Sequence, residues 1–244
     1  MKIIITLILL VISITAFAEF PDGNEILDKI DKNIFSNSSI TTVQMIIHGK
    51  RFSKTMKVKT WTKDGEDSFS EYLYPPSDKG TKMLKLDEKL WIYNPGADRI
   101  IPISGHMLRQ SVMGSDLSYE DFMENQTLRE SYKAQVIGDE VVFGRQCWIL
   151  ELSAVTDDVA YVTRKIWVDK VRSIALKEEL FGKSGKLLKK TEIPEVFRIQ
   201  NRWYPKKMTF KDMLRKGNGT EIIIDDVQFD VKIPKSKFSK AALK

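Results

Sequence analysis

Short segments of alternating hydrophobicity, separated by turn residues, follow one another along most of this 244-residue chain and constrain its fold more than any other feature. Residues 43–47 and 148–152 alternate with a period of two, which is typical of strands with one face towards a core. Gly182–Gly185 and Gln200–Arg202 lie between such segments as hairpin connections. No low-complexity linker interrupts the series, so the sequence predicts one antiparallel meander.

The apolar positions of these strands predict which side chains face the core and any ligand cavity. Alternate residues of a strand point to opposite faces, so parity selects them. The residues with the apolar parity are Met45, Val58, Leu84, Leu86, Leu150, Leu176, Met208 and Phe210. Parity does not separate those that would touch a ligand from those that would touch a covering helix.

One helix is predicted before the first strand. Asp22 and Glu25 form a capping-box pattern. Ile26, Leu27, Ile30 and Ile34 then fall at helical spacing on one face. Such an amphipathic helix has to place its apolar face against the sheet.

The segment from His106 to Asn125 interrupts the meander, because its apolar residues do not have the spacing of a strand. Gly114 marks a turn, and Ser118 with Asp121 is a second helix-capping signal, so one or two short helices are expected. We predict a lid over a ligand cavity, although a fixed plug of ordinary core packing is the alternative. The apolar lid residues are Met107, Leu108, Val112, Met113, Leu117, Phe122 and Met123.

Residues 1–18 have the layout of a secretory signal peptide. Lys2 provides the positive charge, Ile3–Ile14 is the apolar run, and Ala16–Ala18 is a small-x-small cleavage site. The run is shorter than the roughly 20 apolar residues of a membrane-spanning helix, and an uncleaved membrane anchor is the alternative. We expect cleavage after Ala18, a single domain over residues 19–244, and a periplasmic location.

Residues suited to catalysis or metal binding are few. His48 and His106 are the two histidines, and no nucleophile motif or further ligand set accompanies them. The run Gly182–Lys186 lacks the spacing of a phosphate-binding loop. Cys147 is the single cysteine and is expected to be a buried small apolar residue. We therefore expect no cofactor, no metal and no nucleic-acid partner. We expect no enzymatic activity either, and an enzyme is the alternative to that expectation.

From about Tyr72 to the C-terminus the chain resembles the LolA-like family of outer-membrane lipoprotein-sorting proteins. The most specific motif is VMGSDLSYEDF. The motifs that support the resemblance, in order, are Gly80–Ser104, Val112–Phe122, Tyr161–Lys170, Gly185–Thr191, Arg202–Asp212 and Thr220–Ser239.

The resemblance implies an α+β fold in which a single antiparallel sheet curls into an incomplete (half) barrel, with helices covering its concave face. It also implies a cavity for acyl chains and a monomeric periplasmic carrier that moves lipoproteins or lipids towards the outer membrane. An inner-membrane transporter or exporter would be its protein partner. The alternative function is a lipid-sensing or accessory subunit that docks onto a membrane exporter, and fold alone does not decide between the two.

Overall fold

The structure is a computed structural model that describes residues 20–124, 127–157 and 159–244. The predicted signal peptide and its cleavage site at Ala18 lie outside these residues. Within them, the strands are β1 Ser38–His48, β2 Ser53–Lys63, β3 Asp67–Tyr74, β4 Lys82–Leu86, β5 Lys89–Asn94, β6 Arg99–Ile103, β7 Tyr132–Val142, β8 Arg145–Ala154, β9 Thr163–Asp169, β10 Ala175–Phe181, β11 Leu187–Ile199, β12 Arg202–Asp212 and β13 Thr220–Phe229. The helices are α1 Gly23–Ile34, α2 Tyr119–Met123 and α3 Leu128–Ser131, with 3-10 turns at Gly105–Arg109, Val112–Gly114, Lys235–Lys237 and Lys240–Leu243.

These strands form one antiparallel sheet in which neighbours follow chain order except at one place. β1 pairs with both β2 and β13, so the first and last strands join the two halves of the chain in the middle of the sheet. The two edges are β6 and β7, which are consecutive in the chain. Because the edge strands do not pair, the sheet is not closed into a barrel, and the predicted α+β half-barrel is confirmed.

Helix α1 packs on one face of strands β7 to β9, as its amphipathic pattern predicts. Ile26, Leu27 and Ile30 contact a buried cluster that includes Leu150 and Ile166. We call this face of the sheet the inner face. Burying three large apolar side chains there stabilises the helix by roughly 5 kcal/mol before entropy is counted, more than an isolated 12-residue helix gains from its own backbone.

The two ends of α1 show that the sheet curves around it. A side chain on Gly23 would meet the Ala134 carbonyl of β7 at 2.5 Å, so this close approach requires glycine. At the other end, the Asn33 amide donates to Arg172 O at 2.9 Å, and its oxygen accepts the Trp203 N–H of β12 at 3.2 Å. The helix is about 18 Å long, whereas a flat path from β7 to β12 crosses five strand spacings, roughly 24 Å.

The chain between β6 and β7 crosses from one edge of the sheet to the other. It forms the 3-10 turns at Gly105–Arg109 and Val112–Gly114, followed by the helices α2 and α3. The sequence predicted one or two short helices here. Met113 and Gly114 have φ angles of 52° and 84°, so the backbone reverses at the predicted glycine turn. We call residues 105–124 the lid.

The lid and α1 cover the same face. Cross-strand pairing places Ile166, Glu178, Thr191 and Phe210 in one row across β9 to β12. Ile166 packs under α1, and Phe210 packs under the lid. The inner face therefore continues from one cover to the other.

The predicted placement of Leu84 and Leu86 towards the cavity is wrong. Met83 packs under the lid, so its neighbour Leu84 points to the opposite, outer face. There Leu84 and Leu86 pack with Leu243 from the C-terminal segment. β4 is apolar on both sides because both sides are covered, and its parity is therefore ambiguous in the sequence.

Leu176 also faces away from the inner side. It packs with Cys147 and Trp167, which alternate with the inner-face residues of β8 and β9. A register shift between Ala175 and Lys177 changes the parity of β10, so the alternation of the sequence gives the wrong face. Cys147 is fully buried as predicted, and burial raises the pKa of its thiol to about 11.

The predicted hairpin at Gln200–Arg202 is confirmed. Ile199 pairs with Arg202 across a two-residue loop. Gln200 and Asn201 have φ angles of 43° and 64°, which is the left-handed conformation that such a loop requires.

Candidate functional site: the lid and its anchors

The predicted lid residues all lie in two apolar clusters against the inner face. In the first, Leu117, Met113 and Phe122 pack on Met45 and Val58. In the second, the lid residues pack on β4 to β6, and they are Met107, Leu108, Val112, Met113, Phe122 and Met123. Met113 and Phe122 belong to both clusters, so these two side chains fill the centre of the inner face.

The remaining residues predicted for the cavity are distributed along the inner face. Phe210 lies in the first lid cluster with Met45 and Val58. Met208 pairs with Ile222 in the adjoining cluster. Leu150 is fully buried under α1 rather than under the lid. The lid therefore covers Met45, Val58 and Phe210, whereas α1 covers Leu150.

Asp116 attaches the middle of the lid to the ends of β12 and β13. Its backbone N–H donates to Thr220 Oγ1 at 2.9 Å, and the Thr220 hydroxyl donates to its carboxylate at 2.9 Å. The Asp212 N–H donates to the same carboxylate at 3.0 Å. Arg215 donates to the carbonyl of Ser115. This anchor uses polar residues of the MGSD motif.

Asp121 attaches α2 to the sheet. Its carboxylate accepts the Ser118 N–H at 2.6 Å and the Tyr161 hydroxyl at 2.6 Å. It also accepts a hydrogen bond from the ammonium group of Lys189, which donates to Ser118 Oγ at 3.0 Å as well. The Asp121–Ser118 contact is the expected helix cap. The same carboxylate thus caps the N-terminus of α2 and forms an ion pair with Lys189 of β11.

Arg164 of β9 is a deeply buried charge of the site, with 5% of its surface exposed. Its guanidinium forms ion pairs with Glu124 of the lid at 2.5 Å and with Glu178 of β10 at 3.1 Å. It lies over the Tyr132 ring, 4.7 Å from the centroid. Among the described residues, its Nε atom has no hydrogen-bond partner.

Burial and neighbouring charges together raise the pKa values of Glu124, Arg164 and Tyr161. Burial raises the pKa of Glu124, and the nearby Arg164 only partly offsets that rise. Burial also opposes the charge of Arg164, but Glu178 and Glu124 outweigh it and raise the pKa of the guanidinium. Burial and the Asp121 carboxylate raise the pKa of Tyr161. Arg164 is therefore charged and Tyr161 is a neutral hydrogen-bond donor at neutral pH.

Two cavities adjoin α2. The larger, about 820 Å³, is lined by residues that include Arg164, Glu124 and the buried Lys85. The second, about 750 Å³, is lined by residues that include Lys189 and Tyr161. Both have walls in which charged and apolar residues are mixed, and Glu120, Val159 and Ala160 belong to both. The apolar part of the inner face is filled by the lid itself.

Sequence reasoning missed the ionic part of the site. Arg164 has the same parity as the core residues Ile166 and Val168, and Lys189 pairs with Leu180 across the sheet. A cation at an apolar parity has to be paired when the strand is buried. That conflict between charge and parity is the signal that could have indicated both residues.

Among the described residues, no group of three or more His, Cys, Asp or Glu side chains could hold a metal ion. In the same part of the chain, no helix is long and apolar enough to cross a membrane.

Solved structures with the same fold include a DUF1329 family protein from Desulfovibrio piger. It is 27% identical, with a TM-score of 0.82, and the match covers 91% of this chain and 98% of that one. A putative outer membrane lipoprotein-sorting protein domain from Vibrio parahaemolyticus is 24% identical, with a TM-score of 0.77 and coverage of 91% and 97%. A LolA superfamily protein from Nitrosomonas europaea is 21% identical, with a TM-score of 0.76 and coverage of 91% and 100%. No match was found among curated proteins.

The fold and the lid define the class of the protein, which is a LolA-like half-barrel. A family model described as "-like: Uncharacterized protein" matches residues 64–244, which is most of the chain. The chain belongs to this family. It shares its fold with the lipoprotein-sorting protein domain and the LolA superfamily protein.

Proposed function

We propose that this protein is a periplasmic carrier that binds the acyl chains of lipoproteins or lipids on the inner face of its half-barrel and takes them towards the outer membrane. The observation that supports this most is the position of Met113 and Phe122, whose side chains connect both apolar clusters of the inner face. An acyl chain has the chemistry of the side chains that it would replace. It would occupy the surface of Met45, Val58 and Phe210 after the lid moves away.

The energetics favour such an exchange. An acyl chain exposed in water costs about 0.8 kcal/mol for each CH₂ group, and opening the lid exposes apolar surface of the same kind. A methionine-rich lid adapts to different apolar partners because its side chains are flexible. The net affinity is the difference between the two burials, so the chain can be both taken up and released.

The anchors explain how the lid stays closed over the inner face. Asp116 and Asp121 connect the lid to β11, β12 and β13 through charged and neutral hydrogen bonds. Delivery would require a donor in the inner membrane, and a transporter or exporter is the partner that this function needs. Release at the outer membrane would reform the closed lid.

Displacement of a fluorescent fatty acid from the purified protein tests the proposal, together with mass spectrometry of lipids that co-purify with it. We expect saturable binding and recovery of the ligand with its chemical bonds intact. Recovery of a hydrolysed ligand would indicate an enzyme. If no acyl chain binds and none co-purifies, the carrier proposal is wrong and the accessory-subunit alternative takes its place.

A further inference from the structure

The acidic residues of the site move with the lid, whereas the cations stay with the sheet. Asp121 and Glu124 both belong to the lid. Their partners Lys189 and Arg164 belong to β11 and β9. Glu178 of β10 is the one acid of this group that stays beside Arg164. Opening the lid therefore separates two ion pairs, and in both of them the acid leaves with the lid while the cation stays on the sheet.

We propose that the ligand which replaces the lid is an amphiphile with a net negative headgroup, and that Lys189 and Arg164 bind this headgroup. The proposal rests on the proposed carrier function and adds the class of its lipid. The headgroup anion would be a phosphate or a carboxylate. Its acyl chain would lie on the apolar surface that Met113 and Phe122 leave.

Burial supports this assignment. Lys189 has 8% and Arg164 has 5% of its surface exposed in the closed state. Removing one partner of a buried ion pair leaves an uncompensated charge, which is strongly destabilising. A neutral ligand that displaced the lid would leave Lys189 without its carboxylate, whereas an anionic headgroup would restore the pairing.

The geometry around the cations also suits an anion. Arg164 lines the larger cavity and Lys189 lines the second, and the two cavities share wall residues beside α2. Among the described residues the Nε atom of Arg164 has no acceptor, so it is a donor that neither Glu124 nor Glu178 uses in the closed state. The Tyr161 hydroxyl, which donates to Asp121, becomes a third donor when the lid leaves.

Calorimetric titration of the purified protein with two lysophospholipids tests the assignment. Palmitoyl lysophosphatidylglycerol is anionic and palmitoyl lysophosphatidylcholine is zwitterionic, and their acyl chains are identical. We expect the anionic lipid to bind at least about tenfold more tightly. Equal affinities would overturn the headgroup proposal and leave the carrier function standing, whereas no binding of either lipid would contradict the carrier function itself.

Two variants separate headgroup recognition from a purely structural ion pair. Lys189→Met removes the sheet cation and should lower the preference for the anionic lipid. Asp121→Asn weakens the lid but keeps the cation, so it should raise that preference. A purely structural pair would change both affinities in parallel in both variants, and that result would overturn the proposal.

Two controls complete the design. Lys190→Met changes the next residue of β11, whose side chain points to the other face and pairs with Glu179, and it should leave the preference unchanged. Inorganic phosphate alone should bind more weakly than the anionic lipid. Binding of phosphate as tight as that of the lipid would assign the site to a small anion and contradict an amphiphile.

Discussion

Asp121→Asn should open the lid without unfolding the sheet. The carboxylate accepts hydrogen bonds from the Lys189 ammonium, the Tyr161 hydroxyl and the Ser118 N–H. An asparagine keeps the shape but removes the charge opposite Lys189, and breaking a buried pair costs about 3–5 kcal/mol. We expect the lower end, about 3 kcal/mol, because Lys189 keeps its bond to Ser118 Oγ.

Hydrogen exchange measures this opening residue by residue. The Asp116 amide is bonded to Thr220 Oγ1 at 2.9 Å and the Asp212 amide to the Asp116 carboxylate at 3.0 Å, so their exchange requires lid opening. A loss of about 3 kcal/mol corresponds to exchange roughly 150-fold faster at these amides. Amides in the centre of β1 and β2 should exchange at the unchanged rate.

Glu120→Gln is the matched control, because Glu120 is the neighbour of Asp121 on α2 and forms no ion pair among the described residues. It should leave exchange of the lid amides within a few-fold of the original rate. Acceleration below about threefold in Asp121→Asn would show that the ion pair does not hold the lid. Equal acceleration in β1 and β2 would show that lid and sheet open as one unit.

Three further predictions concern the apolar face and its buried cation. Met113→Ser together with Phe122→Ser should strengthen fatty-acid binding by about tenfold or more, because the lid then gives up less apolar burial when the acyl chain replaces it, while the circular dichroism spectrum stays unchanged; an unaltered affinity would show that the acyl chain does not replace these two side chains. Leu150→Asp should lower the melting temperature strongly, because it buries an unpaired charge under α1, and the exposed neighbour Glu151→Gln should not; an unchanged melting temperature in Leu150→Asp would contradict the strand's orientation. Lys85→Met should raise the melting temperature at pH 7, because burial lowers the pKa of this lysine and its charged form destabilises the fold. The destabilisation by the charged lysine is present below the lowered pKa and disappears above the ordinary value of 10.5, so the rise in melting temperature should shrink as the pH approaches 10.5. A rise in melting temperature that grows with pH would contradict this reasoning.

Much of the fold could be predicted from local patterns. The amphipathic spacing in α1, the meander and the hairpin at Gln200–Arg202 each depend on residues close in sequence. Curvature and the exact partner of a strand depend on the whole sheet. Leu176 shows the limit, because a register shift of one residue reverses the face and leaves no mark in the hydrophobic alternation.

The candidate site was predictable in its apolar half and not in its ionic half. The lid residues were recognisable because they interrupt the period of two. Lys189 and Asp121 are 68 residues apart in the chain and meet only through the sheet topology. Leu84 and Leu86 were assigned to the wrong face because the covering segment around Leu243 lies at the far end of the chain.

The covalent attachment site of a photoactivatable fatty acid would show where on the half-barrel an acyl chain binds. A diazirine at the end of the acyl chain would be crosslinked by light and located by peptide mass spectrometry. We expect labelling of inner-face residues of β1, β2 and β12 near Met45, Val58 and Phe210. Labelling confined to the outer face around Leu84 and Trp91, or labelling that unlabelled fatty acid does not reduce, would contradict this expectation.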